Sequence, residues 1–141
     1  MHPNYLKAVY KLKSAMSDIK ELMESADRKT FEDKIAYRYL EELTEKMDIA
    51  ADRIEHYSRP AKEGTLREMD NEKFELLDKN GKHVRSFSCG SPIECFIEYD
   101  GEAEWYGGRV EHTTRDGYSG YYFYGGDKPF LYTGMRARVR V

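Results

Sequence analysis

Cysteine is nearly absent from the chain. Cys89 and Cys95 are the only two in 141 residues, too few for a disulfide-stapled scaffold. The two can pair in principle, but a reducing compartment argues for free thiols, with Cys95, inside an apolar run, as a small core residue. Long apolar runs are missing as well: none approaches the ~20 residues of a membrane-spanning helix. The N-terminus, MHPNYLKAVYKLKS, lacks the apolar stretch of a signal peptide. A cytoplasmic protein with no membrane partner is expected.

Marks of catalysis and cofactor binding are equally scarce. The soft ligands His83, Cys89, Cys95 and His112 form no C-x-x-C or H-x-x-x-H pair, so no metal is expected. No G-x-S-x-G or similar nucleophile motif occurs. Glu111 and His112 fall on opposite faces of a strand, whereas Arg109 and Glu111 share one, which predicts a surface ion pair rather than an acid–base set. The glycine-rich segments Gly117–Gly120 and Tyr124–Asp127 precede no helix whose N-terminus could hold phosphate and read as turns. The expectation is a protein that is not an enzyme and binds no cofactor.

A strong basic excess is missing too. Net charge is −3, against the basic balance of a general nucleic-acid binder. Its distribution is uneven. Residues 1–62 carry 12 basic and 12 acidic side chains, residues 63–104 carry 5 and 11, and residues 105–141 carry 6 and 3.

What is present divides the chain at about residue 60. Leu6, Val9, Leu12, Met16, Ile19, Met23 and Ala26 recur in steps of three and four, predicting an amphipathic helix over 4–26 with Pro3 tolerated in its first turn. Thr30, followed by Glu32 and Asp33, is an N-cap with acidic residues at the positive end of the dipole. The second helix is predicted over 31–57 with the stripe Phe31, Ile35, Tyr39, Leu43, Met47, Ala50, Ile54 and Tyr57, ending before Arg59-Pro60. The two make an antiparallel hairpin. Its apolar seam can close on itself, pack on the rest of the chain, or dimerise. The Lys of the first helix and the acidic residues of the second are expected to be solvated.

From residue 65 the period changes to two. Strands are predicted near 65–69, 73–77, 83–87, 93–99, 104–112, 120–124, 130–132 and 135–140, after a linker at 61–64. Asn80-Gly81 and Asp100-Gly101 are hairpin turns, Gly107-Gly108 marks a bulge or a sharp bend, and 125–129 is a loop. So many short strands predict a small antiparallel barrel of SH3-like type. The fold class is therefore α+β: a helical hairpin over 1–60 followed by a small β-barrel over 61–141.

One set of residues in the second part carries a family likeness. Trp105, Gly108-Arg109-Val110-Glu111-His112, Gly120-Tyr121-Tyr122-Phe123, Leu131, Gly134-Met135 and Arg138-Val139-Arg140 resemble, in content and spacing, the family of bacterial domains of unknown function numbered 5348. The likeness extends back through Gly90-Ser91-Pro92-Ile93-Glu94 and Phe74-Glu75-Leu76 to Gly64-Thr65-Leu66, and leaves out the helices. It implies a compact β-domain often encoded on mobile elements of Gram-positive bacteria. It supplies no catalytic residues.

The candidate working surface is Trp105, Tyr106, Arg109, Tyr122 and Tyr124 with the alternating Arg136, Arg138 and Arg140. Trp, Tyr and Arg are the usual anchors of protein interfaces, and the acidic segment 94–104 can supply a negative patch beside them. The expected function is a non-catalytic protein-binding module or inhibitor encoded by a mobile element, in its narrowest form an anti-defence protein of anti-CRISPR type, with a nucleic-acid-processing protein as partner. The alternative is a nucleic-acid-binding accessory protein, with bases stacked on tyrosine beside an arginine groove. Against both stands the plainer reading of the arginines as the solvent face of an amphipathic strand.

Overall fold

The computed structural model describes residues 1–115, 117–127 and 129–141. The chain forms two compact units, Met1–Pro60 and Ala61–Val141.

The first unit is a helical hairpin of α1 (Pro3–Ser25) and α2 (Phe31–Ser58). His2 caps α1, its Nδ1 accepting from the Asn4 N–H at 3.2 Å. Thr30 and Asp33 form a reciprocal capping box on α2, with bonds of 3.1 and 3.0 Å, satisfying two backbone donors that the helix leaves open. Val9, Met16 and Met23 of α1 are buried, as are Thr44 and Ala51 of α2. These positions recur every seven residues, the spacing of a helix–helix seam. The seam of α2 is rotated from the stripe its sequence suggests: Phe31, Tyr39, Leu43 and Tyr57 are exposed. Small side chains at 44 and 51 let the helices approach, which bulky ones would prevent. The Thr44 hydroxyl stays satisfied by donating to the Glu41 carbonyl at 2.9 Å. One lysine expected in solvent is engaged: Lys13 donates to Glu55 at 2.7 Å.

The second unit is one curled, antiparallel, seven-stranded sheet, a half-barrel. Its strands are β1 (Ala61–Glu68), β2 (Phe74–Leu77), β3 (His83–Ser86), β4 (Pro92–Tyr99), β5 (Glu102–Arg115), β6 (Tyr118–Tyr124) and β7 (Arg136–Arg140). They lie in the order β3-β2-β1-β7-β4-β5-β6. Asp100 and Gly101 both have positive φ, 50° and 81°, the backbone of a tight two-residue hairpin.

The strand expected over 130–132 is a single bridge between Phe130 and Tyr122. The segment 61–64 is no linker. It is the start of β1 and pairs with β7, Ala61 opposite Arg140 and Gly64 opposite Ala137. Gly107-Gly108 is no bulge, since β5 keeps unbroken register with β4 and β6. Gly108 is required by space: a Cβ there would lie 2.4 Å from the Tyr124 carbonyl oxygen and 2.7 Å from the Phe123 ring. The register of β2 with β3 shifts between Leu76 and Leu77. Lys128 of the predicted 125–129 loop lies outside the described residues.

The inner face of the curl holds one core, built from Leu66, Leu76, Phe87, Ile93, Cys95, Val110, Phe123, Ala137 and Val139 among others. Cys95 is completely buried, and burial pushes its thiol up to about 12. Cys89 is exposed, and both cysteines are free.

Candidate functional site

Side chains alternate across a pleated sheet, so every strand that gives Ala137, Cys95, Val110 or Phe123 to the core turns its other set outward. The registers β7–β4–β5–β6 gather these outward residues on one face. It carries Arg136, Arg138 and Arg140 of β7, Glu94 and Phe96 of β4, Trp105, Arg109 and Glu111 of β5, and Tyr122 and Tyr124 of β6. Seven of the eight residues named from the sequence as candidates thus share a surface. Tyr106 does not. It turns to the core side, packs against the cluster there, and lines a cleft of about 150 Å³ with Ile97, Tyr99 and Pro129.

The face is built of guanidinium groups laid on rings. Phe96 and Trp105 are direct cross-strand partners with centroids 5.2 Å apart. The Arg136 guanidinium carbon is 4.3 Å from the Phe96 centroid, and that of Arg138 is 4.2 Å from Trp105. Further along, Arg109 lies 4.3 Å from the Tyr124 ring, and Arg115 lies 4.7 Å from Phe130 and 5.1 Å from Tyr122. Each distance is within the range of cation–π attraction.

The arginines face outward, as alternation along β7 predicts, and are also neutralised in place. Because β7 lies between β1 and β4, each arginine meets a carboxylate from a neighbouring strand. Arg136 pairs with Glu63 at 2.6 Å, while Arg138 and Arg140 both donate to Glu94, at 2.6 and 2.5 Å. Glu94 is 5% exposed. Burial pushes its carboxyl up, but Arg140 and Arg138 outweigh that and hold it below the usual range. Glu94 is thereby removed from the acidic patch expected over 94–104. The exposed acids of that segment are Glu98, Asp100, Glu102 and Glu104 at the β4–β5 turn. Arg109 donates to Glu111 at 2.6 Å, the ion pair their shared face predicts.

One cluster has no local signal in the sequence. Glu75, 7% exposed, accepts from His83 Nδ1 at 2.7 Å and from Arg67 Nε at 2.9 Å, with Arg67 Nη2 also on the carboxylate. His83 and then Arg67 hold this carboxyl below its ordinary range. Each partner is eight residues from Glu75, and only the pairing of β1, β2 and β3 joins them. His83 also lines a cleft of about 820 Å³ with Lys62, Lys79 and Lys82. Among the described residues no group of His, Cys, Asp and Glu is arranged to hold a metal ion, and no helix is long and apolar enough to cross a membrane.

The architecture is that of an α+β chain whose half-barrel carries an aromatic–arginine outer face. Residues 65–139 match the family described as Domain of unknown function (DUF5348), and the chain belongs to that family. The match begins inside β1 and ends inside β7, so it contains the whole candidate face apart from Arg140 and leaves out α1 and α2. No curated protein and no solved structure matches the chain.

Proposed function

We propose that the chain is a non-catalytic protein-binding module whose partner docks on the outer face around Trp105, Arg138, Arg109 and Tyr124. The observation that carries this reading is the stacking of Arg138 on Trp105 while Glu94 holds the same guanidinium. Anchors fixed before binding lose little side-chain freedom on contact, and Trp, Tyr and Arg are the residues on which interface energy concentrates. The ion pairs favour a protein over a nucleic acid. Glu63, Glu94 and Glu111 offset most of the arginine charge, so the counterion release that dominates phosphate binding would be small. The nucleic-acid reading stands second, supported by Arg115 beside Tyr122 and Phe130, a place where a base could stack.

The narrower form of the proposal is an inhibitor of a nucleic-acid-processing protein, encoded on a mobile element and of anti-CRISPR type, acting in the cytoplasm. Its support is the concentration of exposed carboxylates, Glu98, Asp100, Glu102 and Glu104, around the β4–β5 turn at one end of the sheet. An SH3-like barrel is the finer reading of the fold. It is supported by the β4–β5–β6 meander and by a last strand, β7, that returns beside β1.

The test is affinity capture from a bacterial lysate with the wild type and with a Trp105→Ala/Arg109→Ala double variant, repeated with the purified partner. Binding weakened at least ~10-fold by the double variant is expected for two interface anchors. A partner held equally by both proteins, or none captured reproducibly, refutes the proposal. Salt-dependent retardation of single-stranded DNA that Arg115→Ala removes would transfer the assignment to the second reading.

A further inference from the structure

The helical hairpin has two flanks of opposite chemistry. Taking the buried Val9, Met16, Met23, Thr44 and Ala51 as the first position of a seven-residue repeat fixes the other positions on both helices. The fifth position is occupied by Leu6, Lys13 and Lys20 on α1 and by Lys34, Glu41, Asp48 and Glu55 on α2. Lys13 meets Glu55 at 2.7 Å, so these positions line one flank, and after Leu6 all of them are charged. The seventh position is different. On α1 it reads Ala8, Ala15, Leu22, and on α2 it reads Ala36, Leu43, Ala50, Tyr57. None is polar apart from the Tyr57 hydroxyl, and all are exposed. Leu22 and Ala36 line a common groove of about 370 Å³ with Ile19, Tyr37 and Leu40, which places the seventh positions of both helices on the flank opposite the Lys13–Glu55 pair.

A two-helix seam needs apolar residues at two positions of seven. A third apolar position on the same side of both helices is the pattern of helices that face the core of a bundle. We infer that this flank is a self-association surface, and that two copies of the chain pair their hairpins into an antiparallel four-helix bundle. The occupant is a second copy because the flank is complementary to itself. Lys13 is level with Glu55, so Ala15 and Ala50 stand within about one turn of each other and form a narrow waist. Leu22 and Leu43 lie on one side of that waist, with Ala8 and Tyr57 on the other. A two-fold axis through the waist seats the leucines of one copy against Ala8 and Tyr57 of its partner, as an isologous interface requires. The area suffices. The 23 residues of α1 span about 35 Å, and two helices about 9 Å apart present a face roughly 20 Å wide. That gives about 700 Å² per copy, within the range of specific stable interfaces.

The full chain is to be measured by sedimentation velocity from 1 to 200 μM, with Leu43→Lys and, on the charged flank, Asp48→Lys as control. A concentration-dependent monomer–dimer equilibrium is expected, weakened at least 100-fold by Leu43→Lys and under 5-fold by Asp48→Lys, with helical circular dichroism retained in each. A wild type that sediments as a monomer throughout overturns the inference without reference to any variant. So does a dimer unaffected by Leu43→Lys or equally weakened by both substitutions.

Discussion

Arg138 and Glu94 are cross-strand partners on β7 and β4, and their side chains meet at 2.6 Å over a carboxylate that is 5% exposed. Glu94 also receives Arg140, so one buried acid holds two bases. Removing the acid takes from both guanidinium groups the buried carboxylate they share, and Arg140 keeps only 14% of its side-chain surface in water. Glu94→Ala is therefore expected to destabilise the half-barrel by roughly 3 kcal/mol, the scale for a buried pair that loses one member. Arg136→Ala, whose pair with Glu63 is half exposed, is expected to cost under ~1 kcal/mol. Urea denaturation of both variants checks the contrast.

The same carboxylate sets an acid limit. The folded-state pKa of Glu94 is depressed by Arg140 and Arg138 against the opposing effect of burial, and that of Glu75 by His83 and Arg67. A carboxyl whose pKa is lower folded than unfolded contributes stability that is fully present above the unfolded value, about 4.3 for Glu. That contribution is lost as pH falls through the folded value. Stability measured by denaturant between pH 7 and pH 2 is expected to decline below about pH 4. The difference between wild type and Glu94→Gln should be largest at neutral pH and shrink with acid. A difference that grows with acid would contradict the assignment.

Much of the architecture is legible in the sequence because it is local. The three-and-four spacing of α1, the Thr30 N-cap and the Asp100-Gly101 turn are each decided within a few residues, and the structure places them there. The outward position of Arg136, Arg138 and Arg140 likewise follows from alternation. Their neutralisation does not, because it depends on β7 entering between β1 and β4, which brings in Glu63 from 73 residues away and Glu94 from over 40. The seam of α2 was hidden for another reason. Two apolar stripes overlap on that helix, and the choice of Thr44 and Ala51 over Tyr39 and Leu43 is made by the fit to α1.

Gly64 shows how a non-local contact changes the meaning of a residue. In sequence it reads as linker glycine. In the sheet, a Cβ on it would lie 1.9 Å from the Leu77 carbonyl oxygen and 2.8 Å from its carbon. Those are backbone atoms of β2, which no rotamer change can move aside. Gly64→Ala is expected to lower stability by about 3 kcal/mol or to prevent folding of the half-barrel. Lys62→Ala, an exposed neighbour on the same strand, should change it by less than ~0.5 kcal/mol. Thermal unfolding of the two variants decides whether position 64 is a strand site or a tether.

The two thiols report on the core without any mutation. Only the thiolate attacks a disulfide reagent. Cys89 is exposed, whereas Cys95 has no accessible surface and burial has pushed its thiol to about 12. In the native protein one thiol per chain is expected to react promptly with an aromatic disulfide reagent at pH 8. The second should react at least ~1000-fold more slowly, at a rate set by opening of the sheet around β4. Adding denaturant should release the second thiol in parallel with unfolding. Cys95 is paired with Tyr106 on β5 and Ala137 on β7, so its exposure requires the middle of the sheet to part. If Glu94 with its two arginines helps to hold those strands together, Glu94→Ala will quicken the slow thiol while leaving Cys89 unchanged. A slow phase indifferent to that substitution would mean that the apolar contacts around Cys95 close the sheet by themselves.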